Sequence, residues 1–97
     1  PALPSGKGET ASVRVNAYPN PAMDKSTIEF TLVENSYVGV QVYNMSGALV
    51  ADLFNAPVLA GQSKKVEFDA TELPVGIYLY RITTKSEVIM DRIIIQK

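Results

Sequence analysis

The sequence predicts an all-β domain, an immunoglobulin-like β-sandwich of about seven antiparallel strands in two sheets. Two observations predict this fold. Short runs rich in Val, Ile and Thr are separated by turn-forming residues at about 8–12-residue spacing. Within these runs apolar and polar residues alternate, which turns one face of each strand towards a core and the other towards water.

Each predicted strand is bounded by a turn or loop. Ile28, Phe30 and Leu32 form the inward stripe of the second strand, and the third and fourth carry similar stripes. The third stripe is Val38, Val40 and Val42, and the fourth is Leu49, Ala51 and Leu53. Residues 55–62 are expected to form a looser connection. The predicted strands span residues 13–17, 27–33, 37–43, 48–54, 63–69, 77–84 and 88–96.

The length of 97 residues allows one domain. Residues 1–12 mix Pro, Gly, Ser and charged residues without an apolar period, which predicts a flexible linker. The chain opens with Pro-Ala-Leu-Pro and not with Met, so we expect it to be part of a longer protein. Residues 13–97 then form the folded domain.

The composition excludes several classes of function. The chain has no Cys and no His, so Ser-His-Asp, Cys-His and thiolate–zinc sites are impossible. The 9 basic and 10 acidic residues contain no basic run, which argues against nucleic acid as a partner. A calcium site using Asn20 and Asp24 matches no known loop spacing. We therefore expect no enzyme activity, no metal and no cofactor.

Tyr78 has a position typical of a structural tyrosine. It follows Gly76 at the start of the sixth strand, directly after the Leu73-Pro74 turn. This order resembles a tyrosine corner, in which the phenol bonds back to nearby backbone. Tyr80 and Ile82 continue the same face of the strand and are expected to pack in the core.

The last strand lacks both Pro and Gly and contains Ile93-Ile94-Ile95. These three residues place large apolar groups on both faces of a strand that is a candidate edge strand. Either both faces are covered, or the strand recognises a partner by adding its backbone to the partner's sheet. The second possibility includes self-association through this strand.

Four motifs in order resemble one family. They are Tyr18-Pro19-Asn20-Pro21, residues 42–47, Leu73-Pro74-Val75-Gly76-Ile77-Tyr78 and the final Arg-Ile-Ile-Ile-Gln-Lys. Over residues 13–97 they resemble the Por secretion system C-terminal sorting domain, type A, which marks cargo of the type IX secretion system.

The resemblance implies a non-catalytic signal that targets an upstream passenger across the outer membrane. Its partners would be the translocon, shuttle proteins and a sortase-like cell-surface peptidase that removes the domain. Its location would be the periplasm in transit, then the outer membrane, cell surface or medium. The implied recognition residues are Gly76, Tyr78, Arg92, Ile93, Ile94, Ile95 and Lys97, with Pro19, Asn20 and Pro21 as the N-terminal motif. We expect cleavage at Ser5, Gly6, Lys7 or Gly8, since small residues let an extended backbone enter a peptidase cleft.

Two other functions remain open from the residues alone. One is an extracellular carbohydrate- or protein-binding immunoglobulin-like module. The aromatic side chains that the solvent-facing sides of the predicted strands offer for such binding are mainly Tyr37 and Tyr43. Neither tyrosine has an aromatic neighbour two residues away to complete a binding platform. The other is a passive immunoglobulin-like spacer.

Overall fold

The computed structural model describes residues 13–97, which form seven antiparallel strands in two sheets. One sheet has the order β1-β2-β5 and the other β4-β3-β6-β7. The predicted linker, with the expected cleavage region at residues 5–8, lies outside the described residues. The strands are β1 (Val13–Tyr18), β2 (Lys25–Leu32), β3 (Ser36–Asn44), β4 (Leu49–Val58), β5 (Ser63–Asp69), β6 (Gly76–Thr83) and β7 (Val88–Ile95).

The core lies between the two sheets and follows the predicted alternation. The inward stripes of β2 and β3 are buried, and so are Phe68 on β5 and Tyr80 and Ile82 on β6. The Phe30 ring meets the Phe54 ring edge-on, with centroids 5.7 Å apart, and this contact joins the two sheets. Full burial of a large apolar side chain such as Phe30 contributes about 1.5–3 kcal/mol to the stability of the fold. The β-sandwich prediction is confirmed.

Strand β4 is longer than predicted. It continues from Leu49 to Val58 and includes Pro57, although residues 55–62 were expected to be a loose connection. Because β4 is an edge strand, a proline with no N–H can be accommodated on its unpaired side.

The predicted inward stripe of β4 holds only in part. The pairing of β3 with β4 shifts register twice, between Val40 and Gln41 and between Val42 and Tyr43. Such shifts interrupt the period of two, so residues of both parities reach the core. Leu49 is 55% exposed. Val50, Ala51, Leu53 and Phe54 all pack against the core.

Residues 13–97 include no helix of the length and apolar character that crossing a bilayer requires.

Candidate functional site

The β6–β7 hairpin brings most of the predicted recognition residues together. Its register pairs Gly76 with Ile95, Ile77 with Ile94 and Tyr78 with Ile93. The Leu73–Tyr78 motif and the final motif are therefore neighbours across one ladder. Sequence reasoning placed both motifs in adjacent strands, and the structure shows their residues in direct register.

Tyr78 forms the predicted corner. Its side chain is buried, and the phenol donates a 2.6 Å hydrogen bond to the carbonyl of Pro74. Its ring meets the Phe68 ring edge-on, with centroids 5.7 Å apart. The prediction is confirmed: Tyr78 ties the turn before β6 to the strand itself and to the core.

Gly76 precedes this corner in a backbone conformation that favours glycine. Its φ is +150°, where a Cβ is strained whatever space surrounds it. No heavy atom of residues 13–97 lies within 4 Å of the place where a Cβ of Gly76 would be, so the requirement for glycine comes from the backbone conformation.

The loop after β1 is hydrogen-bonded to the outer edge of β7. The side-chain amide of Asn20 donates to the Arg92 carbonyl at 2.9 Å, and its Oδ1 accepts from the Ile94 N–H at 3.0 Å. The Ala22 N–H donates to the Ile94 carbonyl, and the Gln96 N–H donates to the Ala22 carbonyl, both at 2.8 Å. We call Asn20 and Ala22 the edge clasp, because together they cover the edge of β7 from Arg92 to Gln96.

The two prolines of the motif flank Asn20. Both peptide bonds that precede them, Tyr18-Pro19 and Asn20-Pro21, are cis. The Pro19 carbonyl accepts a 3.1 Å hydrogen bond from the hydroxyl of Ser26, which is buried in β2. This bond attaches the motif to the three-stranded sheet, while Asn20 attaches it to the four-stranded sheet.

The edge clasp limits what β7 can offer to another strand. The Arg92 N–H donates to Oδ1 of Asp91 at 2.8 Å, so the outward-facing groups from Arg92 to Gln96 are engaged within the chain. In an antiparallel strand, the N–H and C=O groups of every second residue point to the same side. On the outer side of β7, the edge clasp covers these groups from Arg92 onwards and leaves those of Val88 and Met90 uncovered. The sequence predicted a candidate edge strand, and most of that edge is covered.

The three isoleucines divide between two environments. Ile93 and Ile95 are 0% and 1% exposed and belong to the core. Ile94 is half-buried on the other side of the strand. The sequence left open whether the faces of this strand are covered, and on the inner face the structure shows that the opposite sheet covers it.

The outer side of the hairpin is the accessible part. Ile77, Leu79, Arg92 and Ile94 share this side, and we call them the hairpin face. Arg92 is exposed, and Ile77 is 38% exposed. Beside Ile77, an open groove of about 350 Å³ is lined by Leu73, Met45 and Val75, of which the last two are well exposed. The hairpin face combines apolar area with one cation, which suits recognition of a protein.

Lys97 is tied to the turn before β6. Its ammonium donates to the carbonyls of Thr71 at 2.9 Å and Leu73 at 2.6 Å. Asp69, at the start of this segment, accepts hydrogen bonds from the Thr71 hydroxyl and N–H, which lower the pKa of its carboxyl group. Lys97 therefore fastens the end of β7 to the loop that leads into β6.

The other candidates from the sequence are the tyrosines of a binding module and the residues of a calcium site. Tyr37 is 59% exposed on β3, and the guanidinium of Arg81 lies 4.9 Å from the ring centre of Tyr43. No group of three or more acidic side chains close enough to hold a metal occurs in residues 13–97. The Oδ1 atom of Asn20, considered for calcium, accepts the Ile94 N–H.

Comparison with known proteins adds three findings. The family described as "Secretion system C-terminal sorting domain" matches residues 16–96. No curated protein matches the chain. Among solved structures, the chain is similar to dimeric latent PorU from Porphyromonas gingivalis, with a TM-score of 0.70 and 20% identity. That match covers 86% of this chain and only 9% of the PorU chain, and at this identity it shows the fold.

Proposed function

Because the chain belongs to the secretion system C-terminal sorting domain family, the sorting signal of type IX secretion, we propose that residues 13–97 carry an upstream passenger protein across the outer membrane. The observation that carries this proposal is the convergence of two motifs on one edge. The Pro19-Asn20-Pro21 motif and the final strand, far apart in sequence, are hydrogen-bonded into one unit.

This unit separates two roles among the predicted recognition residues. Tyr78, Ile93 and Ile95 are buried, so they act by holding the hairpin in its folded shape. Arg92 and Ile94 lie on the hairpin face and are accessible to the translocon or to shuttle proteins. A partner would therefore recognise a folded surface and not an unpaired strand, since the edge clasp already occupies the edge of β7.

The same arrangement bears on self-association. Pairing of two copies through β7 would have to use the part of its edge near Val88 and Met90, or displace the edge clasp. Asp91, between Met90 and the clasped region, adds an exposed charge there. Charged residues on edge strands oppose edge-to-edge pairing.

The sorting family is not a catalytic one, and we propose that this domain has no activity of its own. After transit through the periplasm, a sortase-like peptidase at the cell surface would cut at residues 5–8, leaving the passenger on the surface or in the medium. The folded domain would begin shortly after that site, at Val13, so the peptidase would act ahead of the sandwich.

The test is export of a reporter protein joined upstream of the full 97-residue chain. The fusion is expressed with a signal peptide in a bacterium that has a type IX system and in a strain lacking its translocon. We expect surface or extracellular reporter only in the first strain, with a new carboxy terminus at residues 5–8 by mass spectrometry. Equal export in both strains, or retention in the periplasm of both, would contradict the proposal.

Variants for this test must separate lost recognition from lost folding. Removing residues 93–97 would delete Ile93 and Ile95 from the core, so lost export would report unfolding as well as lost recognition. Substitutions on the hairpin face avoid that ambiguity, because Ile77 and Arg92 are partly or largely exposed. Circular dichroism of each purified variant shows whether the sandwich is retained.

A further inference from the structure

A groove of about 420 Å³ opens on the outer face of the four-stranded sheet, the same face that carries the hairpin face, but shares no lining residue with it. Its floor is Gly39, which lies in register between Asn55 on β4 and Thr83 on β6. Among the described residues, no heavy atom lies within 4 Å of the position that a Cβ of Gly39 would take. The missing side chain in a central strand therefore makes a depression in the sheet.

Polar and aromatic side chains surround this depression. At one end, Tyr37 is 59% exposed, and its hydroxyl donates to the Asn55 carbonyl at 3.3 Å. At the other end, Nη2 of Arg81 donates to Oε1 of Gln41 at 3.1 Å. The groove is lined by Tyr37, Gly39, Gln41, Asn55, Arg81, Thr83, Thr84 and Lys85.

Arg81 gives the groove a positive charge that no carboxylate of residues 13–97 neutralises within 4 Å. Among residues 13–97 the ion pair found is Lys85 with Glu34, at 3.0 Å, and both of those side chains are more than half exposed. The Nε–H of Arg81 is buried and has no hydrogen-bond partner in the part of the chain that the structure describes. A partly buried guanidinium with an unpartnered N–H and no ion pair favours an anion nearby, because charge-assisted hydrogen bonds are stronger than neutral ones.

The position of the groove favours a small ligand over a peptide strand. β3 is an inner strand, so its backbone groups are taken up by β4 and β6 and cannot pair with an incoming chain. What remains is a concave site with amide and hydroxyl groups, an exposed aromatic ring and one guanidinium. Hydroxyl-rich rings with a carboxylate match all three features.

We propose that this groove binds an acidic sugar, with its carboxylate beside Arg81 and its ring near Tyr37 over Gly39. Because the groove is shallow and open, we expect a dissociation constant in the millimolar range. This ligand site is independent of the secretion proposal, and binding can be measured on the isolated chain without any export.

The test is a titration of the isotope-labelled 97-residue chain with glucuronate, followed by amide chemical shifts. We expect saturable shifts at Gly39, Thr83 and Arg81. Two control ligands are used: glucose has the ring but no carboxylate, and acetate has the carboxylate but no ring. Shifts of similar size with glucose or with acetate would overturn the proposal, as would no saturable shift up to ~50 mM glucuronate.

Two variants test the position of the ligand. Gly39→Leu fills the floor of the groove, where space is open and φ is not positive, so the fold should be retained while glucuronate binding is lost. Arg81→Gln removes the charge and should weaken binding about tenfold. Arg92→Gln is the matched control on the same sheet face and should leave binding unchanged. Unaltered glucuronate binding by Arg81→Gln, or an equal loss in Arg92→Gln, would contradict this position.

Discussion

Asn20 and Ile94 are hydrogen-bonded across 74 positions of sequence, from the Ile94 N–H to Oδ1 of Asn20 at 3.0 Å. The other end of the same amide donates to the Arg92 carbonyl. One side chain thus satisfies two backbone groups on an edge strand, as a neighbouring strand would. This contact joins the first and last motifs of the domain into a single structure.

Asn20→Ala tests the strength of this contact. The substitution removes both hydrogen bonds to β7, and each bond of this kind contributes about 0.5–1.5 kcal/mol. We expect a loss of about 1–3 kcal/mol in the free energy of unfolding, measured with urea, and faster amide exchange at Ile94. Asn16→Ala is the control, since Asn16 is exposed on β1. Equal stability of the two variants would show that the contact adds nothing.

Tyr78→Phe tests the corner. The ring and its contact with Phe68 remain, but the Pro74 carbonyl loses its 2.6 Å partner. We expect a loss of about 1–2 kcal/mol in the free energy of unfolding. Tyr43→Phe also deletes one hydroxyl and keeps the ring beside Arg81, and it should change stability less. The prediction fails if both variants unfold at the same urea concentration.

Gly76→Ala tests the backbone requirement. At a φ of +150°, alanine should cost about 1–3 kcal/mol, because a Cβ is unfavourable there. Gly39→Ala is the matched control, since it also adds one methyl group to open space but without a positive φ. In thermal unfolding, the Tm of Gly76→Ala should be lower than that of the unmodified chain, while the Tm of Gly39→Ala should be nearly unchanged. A similar Tm for both would contradict the account.

Two carboxyl groups make the stability of the domain depend on acid pH. Ser63 donates to Glu29 and Thr71 donates to Asp69, and these hydrogen bonds lower both pKa values from their usual 4.5 and 3.8. Since the unfolded chain then takes up protons at a higher pH than the folded one, the stabilisation is present above pH 4.5 and lost as pH falls through the lowered pKa values. Between pH 5 and pH 2.5, the Tm of the Glu29→Gln, Asp69→Asn double variant should fall by less than the Tm of the unmodified chain. An identical loss would exclude these groups as the cause.

Most of the fold could be predicted from local patterns. The stripes Ile28, Phe30 and Leu32 on β2 and their equivalents on β3 alternate without interruption, so the period of two assigns their faces. The Tyr78 corner is also local, since its hydrogen bond spans four residues. Signals of this kind are present in the sequence itself.

The remaining features depend on contacts that a local pattern does not contain. The run Ile93-Ile94-Ile95 has no alternation, so the pattern could not show which of its members face the core. The edge clasp joins residues more than 70 positions apart, and neither motif alone indicates the other as its partner. The course of β4 depends on bulges in its pairing with β3, which its own residues do not predict.

Export of the reporter fusion by two matched variants tests the central claim most directly. Ile77→Ser with Arg92→Glu changes the hairpin face, while Ile93→Val removes one methylene from the core and costs about 0.5–1.5 kcal/mol. We predict that the face variant keeps the circular dichroism of the unmodified domain but loses export, and that Ile93→Val, although less stable, is still exported. Normal export of the folded face variant would show that the hairpin face is not what the secretion machinery recognises.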